Sequence, residues 1–435
     1  MAKLNTSTPS GFPEFSPAEQ RVVQHWKKTI AEIFEKHGFP ILETPLVERT
    51  ENFTAKGGNP KEIYVLDRLH ADSADQDSAK SRAIRFDHTV PLALFVARHF
   101  NELAFPFRRA VIGPVMRGER AQKGRFRQFD QCDIDVIGNE KLSLANDAQM
   151  VVIIAEIFAK LMPEQKFVIR INNRKILTSF FAEFQKDPSE FKKILDFVDN
   201  LEKNPNVKLE GAPVEFQERI LEFVEMSGTN DEILENLAKF LDNDDFQTGV
   251  AELKEVVNFL REMGVPEENF QIDLRIARGL DYYTGTVYET NLVNEDGSIN
   301  TSLGSICSGG RYDDLAGIFT GKNLPGVGIS IGLTRLLWQL FDAKIIEPKQ
   351  ASSTEAIILF RSPDLLSKAI AVGQKIRGNS DISVENYFET KKIQKQFAYA
   401  EKMGIPVRII VGEKDTVVEA KDGFENLKKE IEVIL

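Results

Sequence analysis

The sequence predicts a protein of the mixed α/β (α+β) class with more than one domain. Strand-like runs and helical patterns both occur before residue 175, and strands alternate regularly with helices after residue 354. Between these parts, a long stretch from about 175 to 262 shows only helical patterns. With 435 residues and 42% hydrophobic composition, the chain is long enough to build two or three hydrophobic cores.

A helix opens the chain. Ser16 and Pro17 form a helix-start signal, apolar residues recur at helical spacing up to Phe34, and Gly38 ends the pattern. The next predicted elements are an extended segment at 40–45, strand-like runs at 62–69 and 82–86, and a helix at about 91–100. The loop 70–81 is polar, and we expect it to be mobile.

Two longer strand-like runs, at 108–117 and 127–137, flank a basic turn and precede a helix at about 143–161. The window from Arg108 to Arg127 holds seven basic residues and one acid, whereas the whole chain carries a net charge of −11. Positive charge concentrated in an acidic protein suits a defined polyanion, such as a triphosphate or one end of an RNA. A solvated charged face gives the same pattern, so both interpretations stay open.

The rest of the chain divides into a helical insertion, a second part of the body and a C-terminal domain. Strands resume at 270–277, at 287–292 and after Ser305, and the run 326–332 leads into a helix at about 333–342. Beyond a linker at 347–354, strands at 356–360, 382–388 and 407–411 alternate with helices at 364–377, 392–403 and 424–432. This alternation predicts a small α/β domain with a mainly parallel sheet. The predicted domains are 1–174 and 266–346 for the body, 175–265 for the insertion and 354–435 for the C-terminal domain.

The composition gives no sign of a membrane span, an export signal or a structural metal. The N-terminal segment has no apolar signal core, and the longest apolar runs are far shorter than a membrane span. Cys132 and Cys307 fit a reducing cytoplasm better than a disulfide framework, and none of the five histidines has metal-ligand spacing with them. We therefore expect a cytoplasmic protein without a metal site built from clusters of its own side chains.

The first candidate site lies at the basic turn. Alternate residues of a strand share one side, so Arg117 and Glu119 can face the same ligand. Arg117 could hold a carboxylate or a phosphate with two hydrogen bonds, and Phe129 could lie flat against a nucleobase. A solvated hairpin with a phenylalanine in the core is the alternative, but the pattern Arg-x-Glu followed by Arg125-x-x-x-Phe129 favours the ligand site.

Two further pairs of polar residues stand at strand positions. Asp87 and Thr89 precede a helix, where both can face a ligand ammonium, although Thr89 also suits the N-cap of that helix. Gln131 and Asp135 share one face of their strand. A polar face inside a large sheet indicates a pocket, but an exposed sheet edge would give the same pattern.

Glycine-rich motifs complete the set. RGLDYYTGTVYE (278–289) combines a cation, a carboxylate and three tyrosines with two glycines, and the glycines of SGGRYDDL (308–315) permit close backbone approach. GVGISIG (326–332) lacks the G-x-G-x-x-G spacing of a dinucleotide site, and the chain has no Walker phosphate loop. If the chain binds ATP, it must do so through arginines on a sheet.

These motifs, in this order, resemble those of the class II aminoacyl-tRNA synthetases, and closely those of the histidyl-tRNA synthetase family. The resemblance runs from about residue 10 to the C-terminus, and RGLDYYTGTVYE together with SGGRYDDL is specific to that family and its paralogues. It implies a core with a mainly antiparallel sheet flanked by helices, a helical insertion and a C-terminal anticodon-binding α/β domain. It also implies a homodimer built partly through residues 39–45.

The reaction that the resemblance implies is the ATP-dependent ligation of L-histidine to tRNA(His), with Mg²⁺ accompanying the phosphates. The carboxylate of histidine attacks the α-phosphate of ATP, which gives histidyl-adenylate and pyrophosphate, and the ribose of the tRNA terminus then takes the acyl group. Arg117 and Arg278 would be the catalytic cations on opposite sides of the phosphate. Preorganised cations of this kind act where charge develops in the transition state.

The resemblance also implies binding roles. ATP would be bound by Arg117, Glu119, Phe129 and Arg335, with Phe129 and Arg335 on either side of the base. Histidine would contact Asp87, Thr89 and Gln131 through its ammonium, Asp135, Tyr283 and Tyr312 through its imidazole, and also Arg117, Arg278 and Tyr282. The acceptor end of the tRNA would contact Arg120, Gln122 and Lys123.

Two departures and one rival interpretation accompany the resemblance. Thr334 precedes Arg335 where class II enzymes usually carry an acid, and the ending KDTVVEAKDGFENLKKE differs from the usual one. The rival is a non-catalytic, histidine-sensing regulatory subunit of ATP phosphoribosyltransferase. Retention of Arg278, Tyr282 and Tyr283, together with the basic loop and the C-terminal domain, favours the enzyme.

Overall fold

The computed structural model describes residues 5–54, 60–67, 81–121, 124–183, 188–201, 207, 209, 213–276, 283–313 and 317–435. These residues form two compact units, the first comprising the chain up to Pro13 and Trp26–Gln339, and the second comprising Glu14–His25 and Leu340–Leu435. Arg278, Tyr282, Gln122, Lys123 and most of the loop 70–81 lie outside the described residues.

The first unit contains ten described strands and most of the helices. The strands are β1 (Val47–Arg49), β2 (Val65–Leu66), β3 (Arg82–Ile84), β4 (Phe107–Met116), β5 (Gln128–Ile137), β6 (Phe167–Asn173), β7 (Phe270–Ile272), β8 (Thr286–Leu292), β9 (Cys307–Tyr312) and β10 (Gly326–Ile331). The helices are α1 (Pro17–Lys36), which begins in the second unit, α2 (Thr50–Thr54), α3 (Thr89–His99), α4 (Ala145–Leu161), α5 (Arg174–Ala182), α6 (Pro188–Leu201), α7 (Val214–Val224), α8 (Asn230–Phe240), α9 (Asp244–Glu262), α10 (Gly317–Thr320) and α11 (Leu333–Asp342), which ends in the second unit.

Seven of these strands form one large sheet in the order β4-β5-β10-β9-β8-β6-β7. Each neighbouring pair is antiparallel except β6 and β7, so the predicted α/β class with a mainly antiparallel central sheet is confirmed. The strand β5 lies between β4 and β10, not at an edge. The exposed-edge interpretation of the polar face on β5 is therefore excluded, which leaves the pocket interpretation.

The predicted helical insertion consists, in the described residues, of the helices α5 to α9 between β6 and β7. Their ends follow ordinary capping chemistry: Asn173 accepts a hydrogen bond from the Lys175 amide, and Thr229 with Glu232 forms a capping box. The helix α9 packs closely on α5, where Gly249 leaves room for Ile176. This contact anchors the helices to the sheet through α5, which follows directly from β6.

The second unit contains a four-stranded sheet in the order β12-β11-β13-β14. Its elements are β11 (Ala356–Phe360), α12 (Leu366–Asn379), β12 (Val384–Asn386), α13 (Ile393–Lys402), β13 (Val407–Val411), β14 (Thr416–Ala420) and α14 (Glu425–Ile434). The pairs β11–β12 and β11–β13 are parallel, as predicted, and all five residues of β11 are buried. The strand β14, which pairs antiparallel with β13, is absent from the sequence prediction because its half-buried residues lie within an ending that matched no expected pattern.

The basic residues of the window Arg108–Arg127 do not all lie on one exposed face. Arg109 is fully buried, and Arg108 is half-buried, where it donates hydrogen bonds to Gln149 and Asn146. Consecutive residues of a strand face opposite sides of the sheet, so basic residues that are neighbours in sequence are separated in space. No described helix is long and apolar enough to cross a membrane.

Candidate active site

A cavity of about 560 Å³ opens over the polar face of the central sheet. Its lining includes Arg117, Glu119, Phe129, Gln131 and Arg335, so the structure brings together all four residues predicted to bind ATP and two predicted to bind histidine, Arg117 and Gln131. Three further arginines that sequence reasoning did not select line the same cavity: Arg125, Arg170 and Arg275. A concave, cation-rich surface of this size suits a polyanionic ligand.

Arg117 follows the last residue of β4, and its side chain is fixed at two points. Its Nε donates a hydrogen bond of 3.0 Å to the Phe86 carbonyl, and its guanidinium lies 5.2 Å from the centroid of the Phe129 ring. Glu119, two residues further, forms an ion pair with Arg125 across the basic turn. The cation predicted for the phosphate and the ring predicted for the base are thus held next to each other on one wall of the cavity.

The other residue predicted to lie against the base, Arg335, follows β10 at the start of α11. Arg335 is exposed at the start of α11, where it lines the large cavity. Its neighbour Thr334 is buried, and the Thr334 hydroxyl accepts a hydrogen bond of 2.8 Å from the Asp130 amide. A hydroxyl therefore connects the start of α11 to β5 at the position where class II enzymes usually carry an acid.

A second, small cavity of about 30 Å³ lies on the same face of the sheet. It is lined by Thr89, Asp133, Asp135, Tyr283, Tyr312, Gly328, Ile329 and Ser330. All three residues predicted to contact the imidazole are among them. Ser330 also lines the large cavity, and its hydroxyl accepts a hydrogen bond of 2.8 Å from Nε2 of Gln131. The two cavities therefore share a wall at Ser330.

The glycines of the two glycine-rich motifs make this arrangement possible. A Cβ at Gly328 would lie 2.4 Å from the Asp135 carboxylate, and a Cβ at Gly326 would lie 2.3 Å from the Tyr312 ring. At Gly310 a Cβ would lie 2.8 Å from the Tyr283 ring. Real Cβ atoms do not approach so closely. Glycine at these positions of β9 and β10 therefore leaves the space that Asp135, Tyr312 and Tyr283 occupy.

Asp135 is the best-anchored acid of the small cavity. Its Oδ1 accepts a hydrogen bond of 3.0 Å from the Tyr312 hydroxyl, and its Oδ2 lies 3.1 Å from Nη2 of Arg109. Burial raises the pKa of Asp135, whereas Arg109 and the Tyr312 hydroxyl act in the opposite direction. The cation beside Asp135 thus favours an ionised carboxylate in a place where burial alone disfavours it.

Asp133 lies two residues before Asp135 on the same face of β5 and is 5% exposed. The pKa of Asp133 is raised to about 7, chiefly by burial and also by the nearby carboxylates of Asp135 and Asp87, against the lowering effects of the Ser330 hydroxyl and Arg109. In the described part of the chain, Oδ1 of Asp133 and Oε1 of Gln131 have no hydrogen-bond partner. Two acceptor atoms next to the small cavity are therefore available to a ligand donor.

Asp87 and Thr89 differ from expectation in one respect. The helix α3 begins at Thr89 itself, and Oδ1 of Asp87 accepts a hydrogen bond of 3.1 Å from the Val90 amide. The N-cap reading of Thr89 is thus wrong, because Asp87 supplies the capping oxygen and Thr89 is left facing the small cavity. Asp87 lines neither cavity, and burial raises its pKa while the Val90 amide and Arg117 lower it.

The sequence prediction gives no role in the site to Arg109, Asp133 or Ser330, although the alternation of strand residues places Asp133 on the predicted polar face of β5 with Gln131 and Asp135. Ser330 could have been found by applying the same alternation to β10. Arg109 could not, because its role depends on the register that places it directly opposite Asp135 on β5. Arg120 is exposed next to the basic turn, as expected for a residue that contacts a macromolecule. Among the described residues, no group of three or more His, Cys, Asp or Glu could hold a metal ion.

The family of the chain follows from comparison with known proteins. The family model described as histidyl-tRNA synthetase matches residues 11–336, and that of an anticodon-binding domain matches residues 355–433. The chain belongs to the histidyl-tRNA synthetase family. The two matched ranges fall on either side of the linker that the sequence predicts at 347–354.

Curated relatives named histidine–tRNA ligase agree with this assignment over the whole chain. The protein of Trichormus variabilis is 43% identical over 453 aligned residues, which cover 100% of this chain and 96% of the relative. The protein of Clostridium tetani is 45% identical over 430 residues, which cover 96% of this chain and 93% of the relative.

Solved structures give the same picture for the fold. The histidyl-tRNA synthetase of Nostoc sp. PCC 7120 superposes with a TM-score of 0.85 at 42% identity, with 100% of both chains covered. A protein of Bacillus halodurans, described as an ATP phosphoribosyltransferase regulatory subunit/histidyl-tRNA synthetase, shares the fold at a TM-score of 0.72 but is 18% identical. The enzyme interpretation thus has relatives at high identity, whereas the regulatory alternative has only a shared fold.

Proposed function

We propose that this member of the histidyl-tRNA synthetase family ligates L-histidine to tRNA(His) in two steps, through histidyl-adenylate formed from ATP. The observation that carries the proposal is the joining of two chemically different cavities on one face of the sheet. The large cavity is lined by arginines and the small one by carboxylates and phenols, and they meet at Ser330. The α-phosphate and the amino acid must meet at such a boundary for adenylation to occur.

The large cavity takes ATP in this proposal. Arg117 hydrogen-bonds the α-phosphate, and its position next to the Phe129 ring places the base on the same wall. Glu119 contacts the adenine side, and Arg335 covers the base from the start of α11. As negative charge builds up on the attacked phosphorus, the guanidinium of Arg117 stabilises it without reorganisation of solvent. Arg278 is proposed to act from the other side of the phosphate.

The small cavity takes the imidazole of histidine. A carboxylate accepts a hydrogen bond and a phenol donates or accepts one, so Asp135 with Tyr283 and Tyr312 can address both ring nitrogens. Gln131 and Thr89 receive the ammonium together with Asp87, and Tyr282 belongs to the same set. A site built to hydrogen-bond its substrate rejects analogues that lack those groups by about 10⁴-fold.

Mg²⁺ is proposed to enter with the phosphates. Such ions are held by one or two carboxylates together with the phosphate oxygens, and Glu289 is a carboxylate on the lining of the large cavity. When bound, the ion would neutralise phosphate charge. The chain's own contribution is the arginine set, which binds and orients the nucleotide.

The remaining partners are also proposals. The acceptor end of tRNA(His) approaches the basic turn at Arg120, Gln122 and Lys123, and the anticodon binds the second unit. A homodimer forms partly through residues 39–45.

We also propose a cytoplasmic location, supported by two buried free cysteines, Cys132 and Cys307. Both are paired with Ile331 from opposite sides, so one strand separates them and they are too far apart for a disulfide.

The test is ATP–pyrophosphate exchange measured with each amino acid in turn, followed by aminoacylation of tRNA(His). We expect exchange with histidine alone and stable charging of the tRNA. Histidine binding without any exchange would reject the enzyme and support the regulatory alternative. Exchange with a different amino acid would reject the assignment of the small cavity.

A further inference from the structure

Arg109 stands apart from the other basic residues of its window. Its side chain is 0% exposed, although it belongs to a strand that borders the active site. In the described part of the chain, its Nε and Nη1 have no hydrogen-bond partner, and Nη2 makes the contacts that the structure shows. A buried guanidinium is costly unless it is paired, so its retention needs an explanation.

The contacts of Nη2 connect two elements of the site. Nη2 donates a hydrogen bond of 2.9 Å to the carbonyl of His88 and lies 3.1 Å from Oδ2 of Asp135. The carbonyl anchors the guanidinium from the start of α3, and the strand register places Arg109 directly opposite Asp135. Since Tyr312 holds the other oxygen of Asp135, both carboxylate oxygens are engaged and the plane of the carboxylate is fixed.

Another buried ion pair in the same unit shows how a purely structural pair differs. Arg311 donates to Asp147 with a hydrogen bond of 3.0 Å from Nε, and further to the Ser143 carbonyl. Asp147 is fully buried and lines neither cavity. Asp135, in contrast, lines the small cavity, so the pair with Arg109 ends at a surface where a ligand can bind.

We infer that Arg109 is a positioning residue for histidine recognition, which acts by fixing the orientation and the ionised state of Asp135. The inference rests on the proposed function of the small cavity. The guanidinium does not touch the substrate; it holds an acceptor in place for the imidazole N–H. Without the cation, Asp135 is a buried acid beside other acids, and it takes up a proton that turns the acceptor into a donor.

Five charged or titratable groups face Asp135 from the elements around it. They are Arg109 on β4, Asp133 on β5, Tyr312 on β9, Tyr283 before β8 and Asp87 before α3. Two of them are acids that disfavour a further negative charge, and Arg109 is the cation in contact with Asp135. Loss of Arg109 is therefore expected to move the titration of Asp135 to higher pH, not lower.

The test compares Arg109→Met with Arg109→Lys and with Arg85→Met as a matched control. Arg85 is also a buried arginine, but it donates only to the backbone carbonyls of Pro114 and Thr44 among the bonds of the described chain. KM for histidine and KM for ATP are measured by pyrophosphate exchange between pH 6.5 and 8.5, together with the melting temperature. The imidazole of free histidine titrates near the lower end of this range, so each variant is compared with the wild type at the same pH, where the contribution of the substrate is equal.

For Arg109→Met we expect a histidine KM raised about tenfold or more at pH 7, with ATP KM unchanged within about twofold. Histidine KM should rise as the pH falls below the pKa of Asp135. In Arg109→Met this pKa is higher, so the rise begins at a higher pH, and KM then changes about tenfold per pH unit. Arg109→Lys keeps the positive charge and should keep the pH profile of the wild type. Arg85→Met should lower the melting temperature and change the pH profile less than Arg109→Met does, because Arg85 interacts with Asp133 only through space and, in the described part of the chain, has no contact with Asp135.

A histidine KM and a pH profile that are unchanged in folded Arg109→Met would overturn the inference. If that variant does not fold, Asp135→Asn and the double variant Arg109→Met/Asp135→Asn decide, because removal of both charges leaves no uncompensated buried ion. Equal histidine KM values for Asp135→Asn and the double variant support the inference. A further tenfold rise in the double variant shows that Arg109 does not act through Asp135. If wild-type protein shows no histidine-dependent exchange, it is the proposed function that fails.

Discussion

The two cavities of the first unit share one face of one sheet, yet their chemistry is opposite. The large cavity has five arginines in its lining, of which Arg117 and Arg335 are the predicted nucleotide contacts. The small cavity has two carboxylates, Asp133 and Asp135, and two phenols. The boundary between positive and negative linings runs along Gln131 and Ser330, which are neutral and joined by a hydrogen bond.

The difference shows how one sheet can bring an anion and a cation together. In the proposed function, a triphosphate is attracted to the arginines and an ammonium or imidazole to the acids, so each substrate would be repelled from the cavity of the other. Only the carboxylate of the amino acid has to cross toward the arginines, and that is the group that reacts. Variants on either side should therefore separate ATP effects from histidine effects.

The largest effect is expected from Arg117→Ala. Loss of this guanidinium removes a donor aimed at developing charge on the phosphate, so kcat for pyrophosphate exchange should fall about 10²- to 10³-fold with folding intact. Arg98→Ala is the matched control, because Arg98 is an exposed arginine that forms an ion pair with Glu48 on the surface. A rate for Arg117→Ala equal to that of the control would remove Arg117 from its proposed role.

The second prediction concerns the pH dependence of stability and tests the negative side of the comparison. The pKa of Asp133 is about 7 in the folded state, above its value in the unfolded state. Between these two pKa values, Asp133 keeps its proton in the folded state and has lost it in the unfolded state. Asp133 therefore destabilises the fold increasingly as pH rises through this range. Asp133→Asn should melt close to wild type near pH 4 and be more stable by about 1–3 kcal/mol at pH 8.

The measurement is thermal unfolding of both proteins from pH 4 to pH 8. Glu183→Gln, a change at an exposed acid at the end of α5, controls for the loss of one negative charge and should show a difference that is small and flat with pH. An Asp133→Asn difference that does not grow with pH would mean that Asp133 is ionised throughout, and the small cavity would then be more strongly negative than described here.

The sequence predicts the strands and the helix that form these cavities better than it predicts the contacts between their side chains. The strands β4, β5 and β10 and the helix α11 lie within one or two residues of their predicted bounds, since alternating and helical apolar patterns are local signals. The grouping of Arg117, Glu119, Phe129 and Arg335 around one cavity was expected from the family resemblance, and all four line it. Their individual roles remain proposals.

What the sequence does not reveal are the contacts that depend on register. Arg109 reads as one more basic residue in a charged window, and only its pairing opposite Asp135 shows that it faces inward. The edge strand β14 is absent from the prediction for a different reason: its apolar pattern is weak, although its partner β13 lies just before it in sequence. Nonlocal pairing therefore explains why the role of Arg109 was not predicted, and a weak local pattern explains why β14 was not.

The third prediction targets the shape of the small cavity without changing a charge. In Gly328→Ala the new methyl group would lie 2.4 Å from Oδ1 of Asp135 and 2.7 Å from the Ile134 carbonyl, so the carboxylate must move. We expect a loss of about 1–3 kcal/mol in unfolding free energy and a raised KM for histidine, with KM for ATP unchanged. Gly378→Ala, where nothing lies within 4 Å of the added Cβ, should leave both KM values at wild type. An equal rise of both KM values in Gly328→Ala would contradict the separation of the two cavities.

The smallest effect is expected on the nucleotide side, at Thr334. Its hydroxyl accepts the Asp130 amide at 2.8 Å and so ties the start of α11, which carries Arg335, to the strand that carries Phe129. Thr334→Val keeps the shape but leaves a buried N–H without its acceptor, which costs about 1–3 kcal/mol, whereas Thr334→Ser keeps the hydroxyl and the bond. The melting temperature and KM for ATP of the two variants check this, and the valine should raise KM for ATP a few-fold and leave KM for histidine unchanged. If serine and valine behave alike, the hydroxyl does not hold Arg335 in place, and its contact with the base must be fixed by the packing of α11 alone.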